Sequence, residues 1–327
     1  MAANGHPKFR AAQVFDWLYK KKVSSLDEMK NVPGALRELI GNVFAFTNFE
    51  VAKKQVASDG TMKLLFKLED GNLIESVLMK HKHGYSVCVT TQVGCRIGCS
   101  FCASGLEGLT RNLSTGEIVA QVVHVEREIE DVDARIGNVV VMGIGEPFDN
   151  YESLTQFIKI INHDKGLNIG SRHITVSTSG IVPKIRRFAE DHNQVTLAIS
   201  LHAPNDSLRS KIMQVNKAYP IKDLMREVEN YIKMTNRRVT FEYALMKEIN
   251  DSDDQARQLA GLLRGLNCHV NLIPINRVEE LGIRRPDMKR IKEFEAVLEK
   301  SGINVTQRRS LGANIDAACG QLRAKNE

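Results

Sequence analysis

Hydrophobic and polar residues follow two rhythms along the chain. Between residues 50–56, 62–68 and 73–79 they alternate one by one, the pattern of half-buried strands. Asp59-Gly60 and Asp70-Gly71 separate these runs as hairpin turns, which predicts a small antiparallel meander. Ahead of it the rhythm is helical: residues 11–20 place Ala12, Val14, Phe15, Leu18 and Tyr19 near one face. Ser25-Leu26-Asp27-Glu28-Met29 reads as a helix start, and Pro33 opens another helix through Leu36, Leu39 and Ile40. A helical module ending near Phe46 is expected. From Ser86 onward short apolar strands alternate with amphipathic helices. The predicted strands are 87–91, 138–142, 174–177, 196–200, 239–244 and 270–274. The predicted helices are 115–130, 151–162, 181–191, 221–235, 253–266 and 287–300.

Repeated βα units imply an α/β fold with parallel strands, in a barrel or an open sheet. No Gly-rich dinucleotide fingerprint follows the first strand. About six units are too few for a closed eight-fold barrel, so a partial (β/α)6 TIM-like barrel is expected, with its active face at the C-terminal ends of the strands. Three regions result: a helical accessory module (1–47), an antiparallel β extension (48–80) and a catalytic core (81–327). There is no internal repeat and no low-complexity segment.

Composition narrows the class. Of 327 residues, 43% are hydrophobic and 26% charged, ordinary globular values. No apolar run reaches membrane-spanning length, and residues 1–10 lack a signal-peptide core, so a cytoplasmic, non-membrane protein is expected. The net charge of +6 permits an RNA partner without establishing one. Lys20-Lys21-Lys22, Arg237-Arg238, Arg284-Arg285, Lys289-Arg290 and Arg308-Arg309 form basic clusters that a solvated face would equally explain. Of six cysteines, Cys88, Cys95, Cys99 and Cys102 crowd one segment, while Cys268 and Cys319 stand apart. In a large chain of cytosolic character such clustering points to metal or to chemistry rather than to a disulfide framework.

The sharpest signal is Gly94-Cys95-Arg96-Ile97-Gly98-Cys99-Ser100-Phe101-Cys102, a Cys-x3-Cys-x2-Cys loop after the first core strand. Three thiolates on so short a loop can converge on one soft metal centre. They are one ligand short of a closed zinc site, which His124 or His202 would have to complete. In a cubane iron–sulfur cluster they would leave one iron open to a ligand. The next strand runs into Gly143-Ile144-Gly145-Glu146-Pro147, where the glycines admit a ligand near the backbone and Glu146 could accept from an ammonium. Later strand ends carry Ser177, then Ser200-Leu201-His202, then Asn276. Each alone is an ordinary loop polar group or cap. Together they ring one face of the expected barrel. Cys88, in an apolar strand, reads as a small buried hydrophobe. Cys319, in Asp316-Ala317-Ala318-Cys319-Gly320-Gln321-Leu322, is open to either reading. Glu75 is equally a surface carboxylate or a proton acceptor.

The cysteine loop resembles the radical S-adenosylmethionine (SAM) superfamily, and the glycine–glutamate–proline turn is similar to the superfamily's SAM motif. From Lys8-Phe9-Arg10-Ala11 to Cys319-Gly320-Gln321-Leu322 the chain resembles the RNA adenine-C2 methyltransferases of the RlmN type. The C-terminal motif is shared with their adenine-C8 relatives of the Cfr type. The resemblance implies one [4Fe-4S] cluster on Cys95, Cys99 and Cys102, with SAM on its open iron. Gly145, Glu146, Ser177, Ser200, Leu201, His202 and Asn276 would contact SAM. Two SAM molecules per turnover are implied. The first methylates Cys319. The second yields a 5′-deoxyadenosyl radical that removes hydrogen from that methyl group, and the resulting carbon radical adds to adenine. Cys88 then releases the product by forming a disulfide with Cys319, and Glu75 is the proton acceptor. The implied substrates are adenine 2503 of 23S rRNA and adenine 37 of tRNA, with a one-electron reductant such as flavodoxin as partner and a monomeric enzyme. The segments 145–151, 269–274 and Arg285-Pro286 favour carbon 2 over carbon 8. A zinc-stabilised RNA-binding module without catalysis is the alternative of a different class. Relatives carry more residues ahead of Lys8, so the helical module is expected to be trimmed.

Overall fold

The structure is a computed structural model that describes residues 5–82, 84–131, 134–276, 278 and 281–322. Helices α1 (Phe9–Tyr19) and α2 (Gly34–Val43) enclose their own small core of Val14, Val23, Met29, Val32 and Leu36. Strands β1 (Glu50–Val56), β2 (Met62–Lys67) and β3 (Leu73–His81) form the expected meander. At its turns Asp59 Oδ1 accepts from Thr61 N at 2.9 Å and Asp70 Oδ1 from Asn72 N at 3.0 Å, side chains copying the turn hydrogen bond.

β4 (Gly84–Cys88) pairs antiparallel with β3 and parallel with β7 (Ile136–Val141). The extension and the core therefore share one ten-stranded sheet. The short strands β5 (Gln92–Gly94) and β6 (Leu109–Asn112) form a separate hairpin between β4 and helix α3 (Thr115–Arg127). Beyond β7, helix α4 (Tyr151–Asn162) leads to β8 (Ile174–Thr178), and α5 (Val182–Asp191) to β9 (Thr196–Ser200). Helices α6 (Asp206–Ile212) and α7 (Ile221–Thr235) precede β10 (Val239–Leu245). Helix α8 (Asp253–Leu263) precedes β11 (Cys268–Pro274), and α9 (Met288–Lys300) precedes β12 (Val305–Gln307). From β4 through β7–β12 every neighbouring pair is parallel. This is the α/β parallel architecture expected, with one short parallel strand, β12, beyond the six predicted.

The helices cover the outer face through apolar stripes. Leu224, Val228 and Tyr231 of α7 and Phe294 and Leu298 of α9 pack on Val176, Leu197, Phe241 and Leu272 in the main core. Capping boxes start α3 (Ser114 with Glu117) and α8 (Ser252 with Gln255). Among the described residues no helix is long and apolar enough to cross a membrane.

Candidate active site

The C-terminal ends of the parallel strands surround a cavity, and one of its walls is the cysteine loop. That loop lies between β5 and β6, inside the β4–α3 connection. Arg96 ties it to the neighbouring turn with two 2.6 Å bonds to the Asp149 carboxylate. Ser100 N donates to Ile212 O at 2.9 Å. Cys95, Cys99 and Cys102 all line the cavity. Burial pushes the Cys95 thiol up to about 12 and raises Cys99 and Cys102 as well; repulsion from the neighbouring loop thiols adds to this for Cys95 and Cys99, and repulsion from Cys319 for Cys102. Three buried thiolates side by side need a cationic body to stabilise them. Yet among the described residues no three His, Cys, Asp or Glu side chains gather tightly enough for a single metal ion. Three thiols around one cavity offer soft ligands to a metal centre. His124 cannot complete a zinc site here, because it packs against Phe49 and Phe66 on the far side of the sheet's extension.

At the end of β7 the backbone comes close to β4. A Cβ on Gly143 would meet Val89 O and Thr90 Oγ1 at 2.7 Å, and Gly145 has φ +108° with Gln92 at 2.7 Å from any Cβ. Only glycine fits either place. Glu146, buried on the cavity wall, accepts from Phe148 N (2.9 Å), Thr178 Oγ1 (2.8 Å) and Ser179 N (2.7 Å). Burial raises its pKa against these three bonds. A carboxylate has about four acceptor positions, so one remains for a ligand in the cavity.

Ser177 and Ser200 face each other across the cavity mouth, Oγ to Oγ 3.3 Å. Ser179 lines the same cavity, with its buried Oγ beside the Glu146 carboxylate. A buried carboxylate with a spare acceptor position, ringed by serine hydroxyls, fits a polar ligand such as the amino-acid end of SAM. His202 also lines the cavity, with φ +56° and Nδ1 accepting from Ala244 N at 2.8 Å. Burial, helped by the Arg209 charge, lowers its pKa to about 3. The ring is therefore neutral, with its proton on Nε2. Leu201 lies behind the wall with its backbone committed: N donates to Glu242 O, and O accepts from Arg209. Asn276 Nδ2 donates to Cys319 O at 3.3 Å.

The C-terminal segment folds back over this face, bringing Cys319 to the cavity beside Gly320. Gly320 O accepts from Ala103 N at 2.9 Å and Leu322 O from Ser104 Oγ at 2.8 Å. Cys88 sits under the same segment, packed with Val77, Ile144, Ala317 and Leu322. Both cysteines are free thiols. Burial pushes Cys88 up to about 12, and the Arg308 guanidinium opposes that rise. Glu75 is buried rather than on the surface, and pairs with Lys63 at 2.9 Å. Cys268, buried at the start of β11, lies at the opposite ends of the strands.

Sequence reasoning passed over several residues here. Arg209 is fully buried and donates to Ser179 O (2.6 Å), Ser200 O (3.1 Å), Leu201 O (3.1 Å) and Asn216 Oδ1 (3.1 Å). It clamps the turns after β8 and β9. Arg308, expected in a basic surface cluster, instead lines the cavity 3.8 Å from Glu242 and 3.5 Å from Met142 Sδ. A charged residue just past a strand end was the available signal for Arg308. Arg209 lies in a helix too short to read.

A family model described as the radical SAM superfamily matches residues 89–260, and one described as the ribosomal RNA large subunit methyltransferase N-terminal domain matches residues 1–45. The probable dual-specificity RNA methyltransferase RlmN of Bacillus licheniformis is 57% identical over 325 residues, covering 99% of this chain and 90% of that protein. The Bacillus velezensis protein of the same description is 58% identical over the same span and coverage. The crystal structure of a radical SAM methyltransferase from Sphaerobacter thermophilus superposes with a TM-score of 0.95 at 48% identity, covering 99% of this chain and 95% of that one.

Proposed function

We infer the function from one premise: the chain belongs to the RlmN family of dual-specificity RNA methyltransferases, within the radical SAM superfamily. It is an enzyme that methylates carbon 2 of adenine in ribosomal and transfer RNA. The carbon-8 alternative and the non-catalytic binding module fall away with that membership. The observation that carries the residue-level reading is the meeting of the cysteine loop, Glu146 and Cys319 around one cavity.

In this reading Cys95, Cys99 and Cys102 hold the [4Fe-4S] cluster. Gly145, Glu146 and Ser177 would hold SAM from one side, and Ser200, Leu201, His202 and Asn276 from the other. When bound, the pair supplies methyl groups and a hydrogen-abstracting radical, two SAM molecules being consumed per turnover with an electron from a reductant such as flavodoxin. Carbon 2 of adenine is too electron-poor to displace a methyl group from a sulfonium, so the protein itself must carry the carbon. Cys319 takes the methyl group as a thioether and presents it to the base. Once that carbon is bonded to adenine, the adduct gives its carbon-2 proton to Glu75 and one electron back to the oxidised cluster that Cys95, Cys99 and Cys102 would hold. The Cys88 thiolate then attacks the Cys319 sulfur. The S–S bond forms, the S–C bond breaks with its electron pair left on carbon, and protonation there completes the methyl group. External thiols reduce the disulfide. We assign this cycle to a single chain acting in the cytoplasm.

A denaturing gel with labelled RNA tests it. Cys88→Ala should accumulate a covalent protein–RNA adduct, Cys319→Ala should give none, and the double variant should match Cys319→Ala. An adduct from Cys319→Ala, or normal turnover by Cys88→Ala, would overturn the roles. Mass spectrometry of RNA treated with the wild-type enzyme should place the methyl group on carbon 2.

A further inference from the structure

The face of the sheet beneath the C-terminal segment carries an ion pair that the cycle above leaves without a role for its cation. In the register of β2, β3 and β4, Lys63 pairs with Val77 and Val77 pairs with Cys88, so these three residues form one row across three strands and share a face. Glu75, two residues before Val77, lies on that face too. The segment holding Asp316, Ala317 and Leu322 covers it. Lys63 is buried there. Its Nζ lies 2.9 Å from Glu75 Oε1 and donates to Asp316 O at 3.3 Å. Asp316 has φ +50°, a left-handed turn stabilised by Gln321 Nε2 donating to its Oδ1 at 3.0 Å. On the other side of this turn Gly312 N donates to Asp59 Oδ2 at 3.0 Å. One ammonium thus touches both a carboxylate on the sheet and a backbone carbonyl three residues ahead of Cys319.

The chemistry gives this contact a purpose. Cys319 delivers its carbon to the same adenine atom from which Glu75 takes a proton, so the sulfur and the carboxylate must keep a fixed separation while the base sits between them. A buried lysine is costly to keep unless it is paired and hydrogen-bonded, and a leucine or methionine would fill the space without that cost. We propose that Lys63 is a positioning residue that holds Glu75 and the Cys319 segment in register on one adenine carbon. The proposal rests on the roles given to Glu75 and Cys319 above. It adds that those two groups work only when Lys63 ties them together.

The test separates the stages of one turnover in reconstituted enzyme. Methyl loading of Cys319 is read by mass spectrometry, the RNA adduct on a denaturing gel, and methylated RNA by chromatography. Lys63→Met should load the methyl group within a few-fold of wild type, form adduct, and release product at least tenfold more slowly. Lys63→Arg, which keeps a cation able to reach both oxygens, should restore most of the release rate, as loss of packing alone would not allow. Glu75→Gln should stall at the same stage, and the Lys63→Met/Glu75→Gln pair should be no slower than the worse single variant, since the two act as one unit. If loss of the buried ion pair unfolds Lys63→Met, Lys63→Gln takes its place with the same expected outcome. Stalling by Glu75→Gln with release by the lysine variants within twofold of wild type overturns the proposal and leaves the Glu75 role standing. Normal release by Glu75→Gln overturns the Glu75 role itself.

Discussion

Replacing Arg209 by methionine tests how the strand-end turns are held. The side chain is fully buried, and its four hydrogen bonds join Ser179, Ser200 and Leu201 to Asn216 in the turn after α6. Burial lowers its pKa to about 10, so it stays charged at neutral pH. Methionine fills a similar volume but donates nothing. Leu201 O keeps its bond from Ala203 N, while Ser179 O and Asn216 Oδ1 lose a charged donor. At about 1–3 kcal/mol for each buried acceptor deprived of its partner, and more where the donor was charged, the loss comes to roughly 3–5 kcal/mol. With a urea slope of about 3 kcal/mol per molar, the unfolding midpoint should fall by about 1 M or more. The same turns carry Ser177, Ser179 and Ser200 around the cavity, so SAM affinity by equilibrium dialysis should fall at least tenfold. Arg209→Lys, which keeps the charge and up to three donors, should recover part of both losses. A midpoint shift under about 0.3 M together with SAM affinity within twofold would show that the clamp is incidental.

Two further outcomes follow from the same geometry. His202 is held neutral with a folded pKa of about 3, below the ordinary value of about 6.5. Between those limits the unfolded chain binds the extra proton, so stability should fall as pH drops from about 6.5, by at most about 1.4 kcal/mol per pH unit from this group. His202→Asn keeps an acceptor for Ala244 N and tolerates φ +56°, and urea midpoints at pH 6.5, 5.5 and 4.5 should show one proton less of dependence; an unchanged slope would refute the assignment. Anaerobically reconstituted enzyme should carry about four irons per chain, and Cys99→Ala should lose both iron and SAM cleavage, because an open-iron cubane cannot lose one of its three protein ligands and keep its geometry.

Much of this fold was legible because its core elements are long and regular. The predicted strand 196–200 and helices 151–162 and 221–235 coincide with β9, α4 and α7. What went unread was short. α6 has seven residues and β5 and β12 three each, below the length at which a 2.0 or 3.6 period can be told from chance. The predicted start of the first core strand at residue 87 also shifted: pairing with β3 begins at Gly84 and with β7 at Tyr85, while Val89 to Thr91 turn away to meet Gly143 and Ile144. At the site, glycines and cysteines were readable because their chemistry is unusual wherever it occurs. Arg209 and Arg308 were not, and Glu75 was legible only as a candidate, its burial unseen. A charged side chain in a strand or helix looks solvent-facing until tertiary packing buries it, and each of these is satisfied by groups far away in sequence.

The position of these hidden residues says how the fold divides its labour. The strand ends from β7 to β11, with the cysteine loop, wall the cavity proposed above to hold a cluster and SAM. The second group of residues stands where the antiparallel extension joins the core. Lys63 and Glu75 come from β2 and β3, Cys88 from β4, and Cys319 from the segment that covers all three strands. That seam lies at the edge of the SAM pocket because β4 belongs to both halves of the sheet, antiparallel to β3 and parallel to β7. A methyl carrier has to work on both sides of such an edge, first toward SAM and then toward the base. Cys319 can do so only from a segment anchored to both: to the cysteine loop through Ala103 and Ser104, and to the extension through Asp59 and Lys63. In the proposed cycle the extension, which the alternating pattern of residues 50–79 revealed first, therefore takes part in the chemistry rather than merely supporting it.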